Sequence, residues 1–325
     1  MQNAPLADIE MAHCWCGANS DKEGGIIAKD GATMKEFVYK ICSVCATERV
    51  DPRPPAGAIG GYYATDYASH RVRENDLATR FKNLVSNVFF ALPNERPAFS
   101  RFLKPFLFPF KGHTVFAFYA VSPRHIFEFG ASSGNDLARF REAGWQVDGC
   151  EPSAKACASA GERGINLQNV PAEAANLLPK SFSCILLNNV LEHVHDPVAV
   201  ISKAYAGLVT GGSVVIILPN HAGPSARLFG AAWPGYDAPR HLWGFNPENL
   251  ASLLMRAGFT APKVYPLFQG RWAWRDCLDG GRLPYRARSW RRRLAGVGSF
   301  ALTPLGFLAA VAGSGDFLTV VATKP

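Results

Sequence analysis

The sequence predicts an α/β fold, a doubly wound and mostly parallel sheet, on three observations. Residues Ile126–Arg139 read as an apolar strand, a glycine turn and the start of a helix. A second strand, Trp145–Glu151, ends in an acid close to the ~20-residue spacing at which a carboxylate meets a ribose diol in dinucleotide folds. Short apolar runs then alternate with helical patterns, as parallel strands joined by crossover helices require.

Taken in order, the chain predicts a small module, a helical region and the α/β core, divided at 1–55, 56–121 and 122–325. In the first, Cys14-Trp-Cys16 and Cys42-Ser-Val-Cys45 form two close thiol pairs. Pairs of this spacing across a loop supply four ligands to tetrahedral Zn²⁺, and a four-Cys site is closed and structural. Phe37–Ile41 alternates like a strand leading into the second pair. Asp51–Pro55 reads as a linker. Tyr63, Tyr67 and His70 would share one face of a helix. That face is either a packing surface or part of an acceptor site. Arg71–Leu92 and Phe99–Tyr119 carry helical periodicity and form helical insertions before the core.

The core strands are expected at Ile126–Phe129, Gln146–Cys150, Ile165–Gln168, Cys184–Asn188, Ser213–Leu218, Lys263–Leu267 and Phe317–Ala322, a seven-stranded sheet. Helices are expected at Asn135–Ala143, Ala154–Arg163, Ala172–Leu177, Pro197–Leu208 and Pro247–Ala257, with an apolar helical segment at Leu294–Ala312. The turn explains the glycines: Gly130 lets the chain reverse sharply and Gly134 lets backbone approach a ligand at a helix N-terminus. Glu128 stands near the strand's carboxyl end, where open α/β sheets bind ligands.

These pieces together resemble the class I S-adenosylmethionine-dependent methyltransferases, Rossmann-like enzymes, in the branch with a Leu-Glu-His motif after the fourth strand. The matching stretches are Glu-Phe-Gly-Ala-Ser-Ser-Gly (128–134), Gly-Cys-Glu-Pro-Ser (149–153), Asn-Val-Leu-Glu-His (189–193), Gly-Gly-Ser-Val-Val-Ile-Ile-Leu-Pro-Asn (211–220) and Pro-Arg-His-Leu-Trp-Gly-Phe (239–245). The resemblance implies a cofactor site along Glu128, Gly130, Ala131, Ser132, Gly134 and Asp136. It implies Glu151 on the ribose, Pro152, Ala172 and Glu173 toward the adenine, and Asn188, Asn189 and Val190 toward the methionine end. It implies a last strand antiparallel between two others. Some branches place a zinc module before the methyltransferase domain, among them enzymes that methylate nucleotide-linked deoxysugars. One departure stands out: the family has Gly where Ser132 stands, and Ser fits there if its φ is negative.

For chemistry, His241 and His193 are the candidate bases, since an unperturbed imidazole titrates near pH 6.5. Tyr236 and Arg240, with Tyr63, Tyr67 and His70, are candidates to orient the acceptor, because an aromatic loop of this length after a strand end commonly binds something. The expected substrate is a small or carrier-linked acceptor, a sugar or polyhydroxylated metabolite.

Composition bounds the alternatives. The net charge is +8, yet Arg271–Arg293 alone holds eight arginines against two aspartates, Asp276 and Asp279. One local cluster, not a broad basic face, argues against a nucleic-acid partner. It suits an activated sugar's diphosphate, or peripheral contact with an anionic membrane, or it is a solvated helix face. A nucleic-acid enzyme using the cysteine module and a catalytically dead scaffold are the rival readings. A nicotinamide oxidoreductase fits less well, because the glycine pattern is looser than Gly-x-Gly-x-x-Gly. Met1–Glu10 is acidic with no apolar core, no run of eighteen apolar residues occurs, and eight cysteines without a secretory signal read as thiols or metal ligands. A cytoplasmic location is expected.

Overall fold

The computed structural model describes residues 9–31, 33–63, 84, 99–107, 123–267, 277, 297–298, 308–309 and 312–325. Tyr67, His70, all of the helix expected over 71–92 except Leu84, most of 99–119 and 294–312, and all of Arg271–Arg293 except Cys277 lie outside the described residues. Among the described residues, no helix is long and apolar enough to cross a membrane. The chain divides into two compact units.

The larger unit, Asp66–Leu218 with Ala251–Tyr265 and Thr319–Pro325, carries the α/β sheet. Its strands are β4 (His125–Phe129), β5 (Gln146–Cys150), β6 (Phe182–Asn188), β7 (Leu208–Pro219), β9 (Lys263–Leu267) and β10 (Phe317–Thr323), in the order β5-β4-β6-β7-β10-β9. β4 pairs in parallel with β5 and β6, and β6 with β7. Along β7 residue numbers rise while their β10 partners fall: Gly211 meets Lys324 and Ser213 meets Thr323. β10 is therefore antiparallel and lies between β7 and β9, as expected. β4 is buried along its whole length. One face of the sheet (Ile126, Cys184, Leu186, Val215, Val321) packs on Leu137, Phe140 and Ala160 of the crossover helices.

Helix ends follow local chemistry. α2 (Asn135–Glu142) starts at Gly134, whose φ is 71°. α3 (Ala154–Gly161) is capped by Ser153, whose hydroxyl accepts the Ala156 N–H. α4 (Pro197–Gly207) is capped by Asp196 with Pro197 in the first turn. α6 (Pro247–Arg256) opens on a reciprocal pair: each of Asn246 and Asn249 donates its backbone N–H to the other's side-chain oxygen at 2.9 Å. α1 (Ser100–Leu107) is the described part of the helical region before the core.

Three expectations are corrected. Among the described residues the sheet of this unit has six strands, not seven, because Ile165–Gln168 contributes one isolated bridge, Cys150 to Gln168, before Pro171 ends the run. Ala172–Leu177 is a single 3-10 turn, Ala172–Ala174. Its carbonyls at Glu173 and Ala175 accept from the Lys203 ammonium, which replaces the N–H donors a longer helix would use. The fifth core strand also starts earlier than expected, since the glycine pair before Ser213 is part of β7. Gly211, at φ 79°, and Gly212 sit where its register with β6 shifts, so the strand bulges and continues.

The second unit joins Met1–Thr65, Pro219–Leu250 and Pro266–Leu318. Its antiparallel sheet runs β1 (Ile26–Lys29), β2 (Glu36–Ile41), β3 (Glu48–Val50) and β8 (Trp243–Gly244). The cysteine segment is therefore not closed on itself: β3 pairs with β8 from far along the chain, with Glu48 opposite Gly244 and Arg49 opposite Trp243. Buried Arg49 clamps the segment, bonding both Asp21 oxygens and the Ala12 carbonyl. Helix α5 (Pro224–Phe229) and a 3-10 turn at Gly230–Ala232 complete it. The core here is aromatic: Phe37, Tyr39, Trp233 and Tyr236.

Candidate functional site

In the α/β unit the turn after β4 is built from three left-handed residues in five: Gly130 (φ 61°), Ser132 (φ 53°) and Gly134 (φ 71°). The condition expected for Ser at 132, a negative φ, is thus not met. A left-handed non-glycine residue costs roughly 1–2 kcal/mol, and here its N–H is aimed at a carboxylate. That carboxylate is Glu151, which accepts the Ser132 N–H on Oε2 and the Ser153 N–H on Oε1, both at 2.9 Å. A side chain at Gly130 would bring its Cβ to 2.6 Å from Val190 Cγ2, so the turn and the end of β6 approach closely only because that Cβ is missing.

Glu128 is buried, and its Oε2 has no partner among the described residues. Burial pushes its pKa well above the usual range, helped by the charges of Asp136 and Glu151 and opposed by the Leu137 N–H. It stands ready as a neutral acid or as the seat of a cationic donor. Asn188, at the end of β6, donates to Asp136 Oδ2 at 3.0 Å, and Asn189 (φ 54°) donates to Asn188 Oδ1. The structure therefore brings Glu128, the 130–136 turn, Glu151 and Asn188 together. Ala172 is buried beside them in sequence order, while Glu173 is committed elsewhere, its Oε1 accepting the His195 N–H at 2.7 Å. Pro152 is exposed, and its carbonyl takes the Asn169 amide at 3.0 Å. His193 is half-buried in the turn after β6, its N–H returning to the Val190 carbonyl.

Glu192, in the same turn, is fully buried with both carboxyl oxygens unpartnered among the described residues, and burial pushes its pKa up to about 8. The folded state therefore holds a proton that the unfolded chain releases near pH 4.5. Stability from this group is complete below that value and is lost as pH climbs toward about 8. Glu192→Gln is expected to raise Tm at pH 8 by roughly 5 °C and to leave it nearly unchanged at pH 4.5, read by differential scanning fluorimetry across pH.

In the other unit, Cys14, Cys16, Cys42 and Cys45 converge, all four sulfurs within 4.8 Å of one another. Neighbouring Sγ atoms stand 3.4, 3.5 and 3.7 Å apart. A tetrahedron with Zn–S bonds of about 2.3 Å has edges of about 3.8 Å, so the donor set fits that ion with little adjustment. Each pair sits in a tight turn: the Gly17 N–H returns to Cys14 O and the Ala46 N–H to Cys42 O, at φ 85° and 56°. Thr47 joins the two turns, accepting from Trp15 Nε1 at 2.8 Å and lying 3.1 Å from Cys45 Sγ. Cys150, Cys157, Cys184 and Cys277 stand outside this cluster.

The loop after β7 belongs to the same unit. Tyr236 is buried and Arg240 is bound, its Nε and Nη2 to Asp237 and its Nη1 to the Tyr62 carbonyl at 3.1 Å. Tyr63 is half-buried just past the Ile59–Tyr62 turn. His241 is buried with Nδ1 at 2.7 Å from the Gly235 carbonyl, and burial pushes its pKa down. It is a neutral ring whose Nδ1 donates to backbone. The Tyr39 hydroxyl donates to the His241 carbonyl at 2.7 Å, so β2 holds this loop in place.

Three comparisons place the chain among known proteins. No curated protein matches it in sequence. Among solved structures it is similar to an S-adenosylmethionine-dependent methyltransferase of Thermotoga maritima, described as a possible histamine N-methyltransferase. The identity is 20%, covering 70% of this chain and 98% of that one, with a TM-score of 0.45. It is similar to a methyltransferase of Archaeoglobus fulgidus at 17% identity, 70% and 100% coverage and a TM-score of 0.46. It is also similar to phosphoethanolamine N-methyltransferase 2 of Haemonchus contortus at 19% identity, 62% and 48% coverage and a TM-score of 0.44. The methyltransferase domain family model matches residues 99–263, more than half of the chain, which therefore belongs to that family of enzymes.

Proposed function

We propose that this methyltransferase moves the methyl group of S-adenosylmethionine to a small or carrier-linked acceptor, a sugar or polyhydroxylated metabolite. The observation that carries the cofactor assignment is Glu151: a carboxylate at the carboxyl end of β5, pinned beside the glycine turn by two backbone N–H groups. Around it, Glu128, Gly130, Ala131, Ser132, Gly134 and Asp136 receive the methionine and ribose portions. Pro152, Ala172 and Glu173 lie toward the adenine, and Asn188, Asn189 and Val190 toward the reacting end. The unpartnered Oε2 of Glu128 suits a cofactor that carries an ammonium and a sulfonium.

When bound, the cofactor supplies an electrophilic methyl group that needs no help in leaving. The residues of the chain hold the acceptor in line, which can supply much of the barrier reduction, and remove its proton. Tyr63, Tyr236 and Arg240 are the described residues proposed to orient it, with Tyr67 and His70 beside them in sequence. His241 and His193 are the imidazoles that the sequence offers for the proton. The four cysteines hold one structural Zn²⁺, supported by the spacing and the burial of their sulfurs; elemental analysis of protein purified without chelator checks this. Arg271–Arg293 is proposed to meet an acidic partner, an acceptor's diphosphate or an anionic membrane surface, which inhibition by nucleoside diphosphates and liposome flotation test.

The deciding experiment pairs calorimetry with S-adenosylmethionine and a transfer assay in which methyl-labelled cofactor is offered to fractions of a cell extract. Binding in the micromolar range, with label appearing in a small polar product identified by mass spectrometry, is expected. Label in nucleic acid or protein would overturn the acceptor class, and absent cofactor binding would overturn the whole reading.

A further inference from the structure

We propose that Arg163 is a positioning residue for the cofactor: its guanidinium holds the glycine turn in the shape that receives S-adenosylmethionine. The inference rests on the proposed cofactor site and adds a residue that neither spacing nor motif suggested. Every residue involved belongs to the α/β unit. Arg163 stands just past the end of α3, half-buried. Its Nη1 donates both to the Ser133 carbonyl and to Asn135 Oδ1, each at 3.0 Å. Asn135 Nδ2 donates in turn to Ser133 Oγ at 3.0 Å, which closes a ring through all three residues.

The end of α3 explains why the arginine is aimed there. The Ile165 N–H returns to the Ala160 carbonyl at 3.0 Å and the Gly164 N–H to the Gly161 carbonyl at 2.8 Å, the paired bonds of a Schellman ending. Gly164, at φ 71°, supplies the left-handed residue that this ending needs. From α2, Arg141 donates to the Gly164 carbonyl at 2.9 Å. The same ending brings two buried apolar residues against the turn. A Cβ on Gly134 would stand 3.1 Å from Ile165 Cδ1 and 3.4 Å from Ala160 Cβ. Apolar packing therefore supports Gly134, and Arg163 holds the polar groups on either side of it.

What the guanidinium acts on is the start of α2. Ser133 is completely buried, so its carbonyl needs a donor. In a helix that donor is the N–H four residues on, which here is Leu137. The Leu137 N–H instead bonds the carboxyl of Glu128. Glu128 thus takes a helix donor, and Arg163 supplies its replacement at Ser133. Asn135, the other partner of Arg163, is the first residue of α2, and the next, Asp136, accepts from Asn188 at the end of β6. Through Ser133 and Asn135, neither of them assigned to the cofactor, Arg163 fixes the helix start from which Glu128, Asp136 and Asn188 take their geometry. A binding site loosens when the hydrogen bonds behind it are removed, because its residues then sample arrangements that the ligand does not fit.

The test titrates S-adenosylmethionine into the full chain by calorimetry, at a temperature where circular dichroism shows each variant folded. Arg163→Met removes the donor and is expected to weaken the cofactor by about 10–100-fold. Arg163→Lys is expected to bind within about fivefold of wild type, since one ammonium can serve both oxygens that one nitrogen serves now. Arg141→Met is the control. It cuts a bond to the same segment without touching Ser133 or Asn135, and affinity is expected within about twofold of wild type. With methyl-labelled cofactor and the small-molecule fraction of a cell extract, Arg163→Met is expected to raise KM for the cofactor. The rate at saturation stays within about threefold, as a loss of uniform binding requires. The assignment is overturned if Arg163→Met binds within about threefold of wild type, if Arg163→Lys is as weak as Arg163→Met, or if Arg141→Met weakens binding equally. If Arg163→Met does not fold, Arg163→Gln takes its place under the same limits. Wild-type protein that binds no S-adenosylmethionine would sink the cofactor site itself, and this inference with it.

Discussion

Cys42→Ser, or exhaustive removal of metal, is expected to unfold the sheet β1-β2-β3-β8 and to abolish methyl transfer, while the parallel sheet stays assembled. Structural zinc in small Cys-rich modules contributes about 10–16 kcal/mol of apparent binding free energy, more than the whole stability of a typical domain. Cys42 is fully buried, its N–H bonds the Thr47 carbonyl and its own carbonyl accepts from Ala46. Losing it therefore loosens the turn that sets β3 beside β2. Tyr39 and Val50, whose polar atoms hold the His241 and Leu242 backbone, are released together. Hydrogen exchange checks this: amides of β2 and β3 should lose protection while those of β4 and β6 keep it. Unchanged protection in protein shown to be metal-free would refute the structural role.

Glu151→Ala is expected to weaken S-adenosylmethionine by at least about 10²-fold and also to lower Tm. The first effect follows from two charge-assisted hydrogen bonds at roughly 1.5–3 kcal/mol each. The second follows because the N–H groups of Ser132 and Ser153 lose their acceptor. Ser132 would then keep its left-handed conformation without the bond that offsets it. Glu151→Gln should fall between, since its amide can satisfy only one of the two N–H donors. Titration calorimetry with both variants decides; unchanged affinity in Glu151→Ala would remove Glu151 from the ribose.

Local patterns made much of this legible in the sequence. β4 and β6 are apolar runs because both their faces are buried, and Pro197 and Pro247 mark helix starts because proline suits a first turn. The cysteine cluster was visible because thiol spacing within each turn is itself short-range information. What escaped depends on partners distant along the chain. Trp243–Gly244 looks like loop until Glu48 and Arg49 are laid beside it. Glu48 is an ordinary polar residue until His221, 173 positions away, turns its ring toward it. Ser132 read as a tolerable substitution because the sequence does not reveal the sign of φ. Lys203, which ends the expected helix after Ala174, acts through carbonyls that no side-chain pattern reports.

The pairing of β3 with β8 also sets a timetable for the newborn chain. All three of β1, β2 and β3 leave the ribosome before any part of the parallel sheet, yet the edge of β3 stays unpaired until Gly244 emerges. At about 5–20 residues per second that wait lasts roughly 10–40 s. During it the nascent hairpin offers an open strand to any neighbour, the hazard that edge strands carry. All four cysteines of the cluster are already outside by then, so an ion bound early would staple β2 and β3 while their last partner is still being synthesised. With the proposed zinc on these cysteines, scarcity of that metal during translation, more than in the finished enzyme, is where this architecture would be exposed.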